Sequence, residues 1–137
     1  MSEFKVNEDS VSELVKEHIG YCPGWHSLII DTFARLVYLC KKFNMETIGV
    51  CQIKEKFGGL RLYLDFFPTV DDESESTMQV HILQDIIDTA EMRSGSVCQI
   101  SGNYGIVRDV NGWYACLSDA EYEKQLEKMS EFKNGKN

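Results

Sequence analysis

No run in this chain approaches the roughly eighteen apolar residues that a membrane span requires. The longest apolar helical stretch is broken by Asp31, Arg35, Lys41 and Lys42. The first twelve residues are polar and acidic, so no secretory signal is expected and a cytoplasmic protein is. Basic residues are scarce: 14 Lys and Arg stand against 22 Asp and Glu, a net charge of -8. Duplex binding through phosphates needs a basic excess on at least one face, so this balance counts against it. It suits a basic protein partner or mimicry of a polyanion, and it leaves room for a local basic site. There is no Gly-rich phosphate loop, no G-x-G-x-x-G, no nucleophile elbow and no metalloprotease helix; a non-enzyme is expected. Five cysteines cannot all pair, and Cys22, Cys40 and Cys51 fall inside regular stretches. That is the usage of reduced thiols rather than of a disulfide framework.

What is present fits one folded domain over 1–137, with 43% apolar and 26% charged residues. Ser10 and Glu13 have the spacing of a capping box before a short helix. Leu28, Ile29, Phe33, Leu36, Val37, Cys40 and Phe43 recur at helical period and predict a second helix over 25–43. Period two then takes over, with strands predicted at 47–56 and 60–67 about Phe57-Gly58-Gly59. The stretch 68–77 reads as an acidic loop, and a third helix is expected over 78–94, with Val80, Leu83, Ile86, Ile87 and Ala90 inward and Gln84, Asp85, Asp88 and Glu91 outward. A second hairpin about Asn111-Gly112 and a last helix capped at Ser118 complete the chain before a charged tail at 131–137. The expected class is α+β: helix, helix, hairpin and helix over 9–95, then a degenerate treble-clef-like hairpin and helix over 96–130.

Two pairs at i, i+3 separated by a hairpin, Cys98 with Ser101 and Cys116 with Asp119, have the spacing of a zinc knuckle. Serine is a poor zinc ligand, so no cofactor is expected and the four positions read as relics, held by hairpin hydrogen bonds and by packing of Tyr104 and Trp113. The alternative is two thiolates and a carboxylate holding zinc with a water in the fourth place. Cys22 near His26, and His81 one turn before Asp85, are the only nucleophile-like arrangements, and both read as ordinary histidines. The acidic set Asp85, Asp88 and Glu91, with the loop before it, reads as a solvated face or as a dock for a basic host protein.

The basic candidates are Lys54, Lys56 and Arg61 with Tyr63. Arg offers a planar fork for phosphate, Lys a point charge, and Gly58-Gly59 permit close backbone approach. If register brings the two strand faces together, these side chains form an anion-binding surface, with stacking on Tyr63, Trp25 or Trp113. The competing reading is a solvated strand whose cations are paired by Glu55 or Asp65.

The string Lys54-Glu55-Lys56-Phe57-Gly58-Gly59-Leu60-Arg61-Leu62-Tyr63 resembles a run found in small uncharacterised bacteriophage and prophage proteins. Those proteins pair it with an upstream Gly-Trp, a C-x-x-C-G knuckle and a Gly-Trp…Cys-x-x-His element. Gly24-Trp25, Cys98 with Gly102, and Gly112-Trp113 with Cys116 match, whereas Ser101 and Asp119 depart from the zinc ligands. The resemblance implies a phage-type protein of the host bacterial cytoplasm, acting in counter-defence by capturing an anionic nucleotide-like molecule or by inhibiting a host defence protein. A nucleic-acid-binding regulator with a relic zinc ribbon is the third reading. A homo-oligomer fits a site completed by a second subunit.

Overall fold

The apolar period that begins at Leu28 builds helix α2 (His26–Lys42), and its members are buried through Cys40, while Phe43 caps the helix and is half-buried. Among the residues described by the computed structural model, 2–6 and 10–135, four α-helices and two antiparallel sheets make an α+β fold. Residues 9, 136 and 137, which bound the expected helical region and the charged tail, lie outside them. The chain opens with strand β1 (Ser2–Lys5), which the sequence reading missed, followed by helix α1 (Val11–Ile19). The capping box expected at Ser10 is not formed. Ser10 makes no side-chain cap, and its carbonyl accepts from the Leu14 N–H at 3.1 Å.

Strands β2 (Thr47–Lys56) and β3 (Gly59–Phe66) follow α2, and β1 joins the outer edge of β2 to give the sheet order β1-β2-β3. The β2–β3 register shifts between Val50 and Gln52. One extra residue in β2 carries the inward side from Ile48 and Val50 to Ile53, all three buried. Leu62 pairs with Ile53 from β3, Leu60 lies buried on the same side, and α1, α2 and α3 cover it. Full burial of side chains such as Ile29, Phe33 and Leu36 contributes roughly 1.5–3 kcal/mol each.

Helix α3 (Glu73–Ser94) starts five residues before its expected first turn. The supposed acidic loop is therefore helical from Glu73 onward. The Asp72 carboxylate accepts from the Glu75 N–H at 3.0 Å, and Glu73 and Glu75 sit in the first turn where the helix dipole favours negative charge. Glu91 does not face solvent as expected. It accepts from the Leu62 N–H at 2.8 Å, and the Ser94 hydroxyl accepts from the Leu60 N–H at 3.0 Å. Those two bonds satisfy two of the donors on the open edge of β3.

Beyond α3 come β4 (Ile106–Val110), β5 (Trp113–Leu117) and helix α4 (Asp119–Gly135). Helix α4 runs through most of the expected tail, and its Glu121 N–H is capped by the Ser118 hydroxyl at 3.2 Å. A small second core gathers Cys98, Val110, Ala115 and Leu117 against Tyr122 and Met129. The two cores are clasped at Gly24-Trp25. A Cβ on Gly24 would lie 2.0 Å from the Cys98 carbonyl oxygen, and the Gly24 N–H donates to the Gln99 carbonyl at 2.8 Å. No helix among the described residues is long and apolar enough to cross a membrane.

Candidate functional site

Lys54 and Arg61 are direct cross-strand partners, and Gln52 opposes Tyr63 in the same ladder. Alternation along each strand places Lys54, Lys56, Arg61 and Tyr63 on the side away from the helices. The Lys54 ammonium lies 5.6 Å from the centre of the Tyr63 ring, and that of Lys56 lies 5.6 Å from the centre of the Phe57 ring. Lys56 and Tyr63 are exposed, while Lys54 and Arg61 are half-buried along their stems. The Arg61 guanidinium donates to the Leu60 carbonyl at 3.3 Å, which leaves most of its donors for another partner.

The carboxylates that sequence reading set against these cations point elsewhere. Glu55 accepts from the Gly58 N–H at 2.9 Å, closing the hairpin turn. Asp65 accepts from the Cys51 thiol at 3.3 Å. Among the described residues, none of Lys54, Lys56 and Arg61 is ion-paired. Two cations placed opposite one another repel by the cross-strand rule, so this pairing is a local penalty that an arriving anion would relieve.

Both tryptophans fall outside this surface. Trp25 is a core residue with no exposure, and its indole N–H donates to the Val97 carbonyl at 2.8 Å. It is unable to stack on a molecule arriving from solvent. Trp113 is 55% exposed but begins β5 opposite Val110. Alternation turns it away from the side on which Tyr114 meets the hairpin tip.

The four relic positions are brought into one region, but not as a ligand set. The Ser101 N–H donates to the Cys98 sulfur at 3.4 Å. Burial pushes the Cys98 thiol up, yet the Ser101 hydroxyl and the backbone N–H groups of Ser101, Ser118 and Ile100 together bring it down to about 7. Burial first, and the neighbouring Cys98 second, push the Cys116 thiol up to about 11. Asp119, the fourth position, is held by Arg108 at 2.5 Å, and that guanidinium also lies 4.7 Å from the centre of the Tyr122 ring. A zinc ion held by Cys98, Cys116, Asp119 and a water would need Asp119 released from Arg108, and the four-residue knuckle that the resemblance implies would need Ser101, a poor ligand, in the remaining place. Among the described residues no three His, Cys, Asp or Glu side chains are grouped to hold a metal.

The turn is held by Gln99, which sequence reading passed over. Its backbone N–H donates to the Cys116 carbonyl at 2.9 Å, and its side-chain oxygen accepts the Cys116 N–H at 3.0 Å. Tyr104 and Trp113, expected to pack there, are largely exposed. The nucleophile candidates are set differently, with the His26 Nε2 lying 3.4 Å from the Ser12 hydroxyl. Cys22 is buried and pushed up to about 12, by burial first and by Glu55 second, while His81 is exposed on α3.

Clefts formed by the described residues lie away from the hairpin. One of about 370 Å³ runs between Pro23, Ser27, Asp31, Arg93 and Asn103. Another of about 550 Å³ follows α3 past Met78 and Ile82, and an apolar groove of about 500 Å³ is lined by Ala34, Tyr38 and Ile86. The cationic hairpin belongs to none of them and is an open sheet surface. Comparison of the chain with protein-family models, with curated proteins and with solved structures finds no match in any of the three.

Proposed function

We propose that this chain is a non-enzymatic binding protein that captures an anionic, nucleotide-like ligand on the outer face of the β2–β3 hairpin. The observation that supports this reading is the direct opposition of Lys54 and Arg61, with the nearest carboxylates committed to other donors. Phosphate would take charge-assisted hydrogen bonds from Arg61, Lys54 and Lys56, and a base would lie against Tyr63. In keeping with the resemblance of its hairpin string, the setting we infer is counter-defence in a bacterial cytoplasm. Titration calorimetry against a nucleotide panel tests the reading. Arg61→Ala is expected to weaken capture at least tenfold while leaving the fold intact by circular dichroism. A native protein that binds no member of the panel, or an Arg61→Ala variant that binds equally well, would end it.

A second reading draws on α3. Its early start adds Glu73 and Glu75 to the helix that carries Asp85 and Asp88, beside the exposed Met78 and Ile82. A rigid acidic face with apolar side chains on it suits a basic host protein, such as a defence protein that the chain would inhibit. Capture of one stoichiometric partner, lost on charge reversal at Asp85 and Asp88, would favour it over ligand capture.

A further inference from the structure

The cationic face does not stop at the hairpin turn. Phe57 (φ 54°) and Gly58 (φ 80°) form a two-residue left-handed turn whose glycine is buried against the second hairpin. A Cβ on Gly58 would lie 3.0 Å from Val107 Cγ1 and 3.3 Å from the backbone of Ala115 and Cys116. That seating fixes one hairpin on the other. It also brings the Phe57 ring, 68% exposed, edge-on to Tyr114 with centroids 6.5 Å apart. From the Tyr63 level to Phe57 the strand covers about 17 Å, and Tyr114 lies beyond. The order along this line is aromatic Tyr63, cations Lys54, Arg61 and Lys56, then aromatic Phe57 and Tyr114.

The acids beside the line are turned into their own backbone or a thiol. Glu55 accepts from Gly58, Asp65 from Cys51, and Asp109 from the Gly112 N–H at 2.6 Å. Cations at two successive levels, the Lys54–Arg61 pair and then Lys56, lying between exposed rings match the chemistry of a polymer that alternates phosphates with unpaired bases. A duplex would hide its base faces from these rings, and three cations are few for its charge density. A single nucleotide would cover only one end of the line.

We propose that this line is a track for an extended single-stranded nucleic acid, with phosphates on Lys54, Arg61 and Lys56 and bases stacked on Tyr63, Phe57 and Tyr114. It rests on the reading of the hairpin as an anion site and names the ligand's length. The test is fluorescence anisotropy with labelled 12-mers of oligo-dT and oligo-U, a matching duplex, and competition by thymidine and uridine monophosphates and by poly-glutamate. The single-stranded 12-mers are expected to bind at least tenfold more tightly than the monophosphates, the duplex or poly-glutamate; the DNA and RNA arms report whether the sugar matters. Three neutralised phosphates predict a slope near about -2 in log affinity against log salt, roughly a twentyfold loss from 50 to 200 mM. Phe57→Ala and Tyr114→Ala, both at exposed rings, should each weaken the 12-mer about fivefold or more and leave monophosphate binding unchanged. Monophosphates binding as tightly as 12-mers would overturn the track while sparing the hairpin site, and no binding of either would overturn both. Equal binding of duplex or poly-glutamate would leave charge alone and end the track proposal.

Discussion

Gly58 and Gly112 occupy the same place in two like turns, and substituting each with alanine separates backbone strain from packing. Phe57-Gly58 has φ values of 54° and 80°, and Asn111-Gly112 has 57° and 87°. Alanine at either glycine meets the left-handed penalty of about 1–2 kcal/mol. At Gly112 nothing lies within 4 Å of the new methyl, so the penalty ends there. At Gly58 the methyl would press on Val107 Cγ1 at 3.0 Å and on the Ala115–Cys116 backbone at 3.3 Å. Backbone gives way less readily than a side-chain tip, and overpacking of this kind adds about 1–3 kcal/mol. The expected losses are therefore about 1–2 kcal/mol for Gly112→Ala and about 2–5 kcal/mol for Gly58→Ala. Urea unfolding followed by circular dichroism, with midpoints compared at constant m-value, reads the difference. Equal midpoints for the two variants would refute the seating of one hairpin on the other. With it would fall the continuity of the line from Tyr63 to Tyr114.

Two further outcomes follow from the edge bonds and the thiols. Glu91→Ala leaves the Leu62 N–H without its acceptor and should destabilise by about 1–3 kcal/mol, whereas Gln84→Ala on the exposed side of the same helix should stay within about 0.5 kcal/mol; equal losses in urea titrations would contradict the edge role. The Cys98 thiol sits at about 7 in the folded state, below its ordinary 9.0. The unfolded chain therefore binds more protons between those values, so stability rises from pH 7 to 9 and is lost as pH falls through 7. Cys116, at about 11, reverses the trend above pH 9. Unfolding midpoints under reducing conditions should climb between pH 7 and 9 in the native chain and flatten in Cys98→Ser.

Much of this architecture can be read from periodicity, and the places where it cannot have physical causes. The stripe from Leu28 to Cys40 and the alternation from Leu60 to Phe66 are burial patterns, and burial decides those elements. The start of α3 is decided by capping and dipole instead. A run of Asp72, Glu73, Ser74 and Glu75 has no apolar residue to report a period, and the Asp72 cap three residues before Glu75 is the signal that was there to use. Glu91 reads as solvent-facing because its helical position is polar, and only the neighbouring strand edge gives it a donor to meet. The convergence of Lys54 on Arg61 depends on register, which the shift between Val50 and Gln52 helps set and which composition does not reveal. Trp25 reads as a stacking candidate from its residue type alone, and only the close approach of Gly24 to the Cys98 carbonyl shows that the ring is buried.

The most direct test of the account is a nuclear magnetic resonance titration of ¹⁵N-labelled protein with a nucleoside monophosphate and with a single-stranded 12-mer. Saturable shifts are expected in the backbone amides of residues 52–63 with both ligands, extending to residues 107–115 with the 12-mer alone. Shifts centred on α3 or on the cleft between Pro23 and Asn103, with the hairpin amides unmoved, would contradict it.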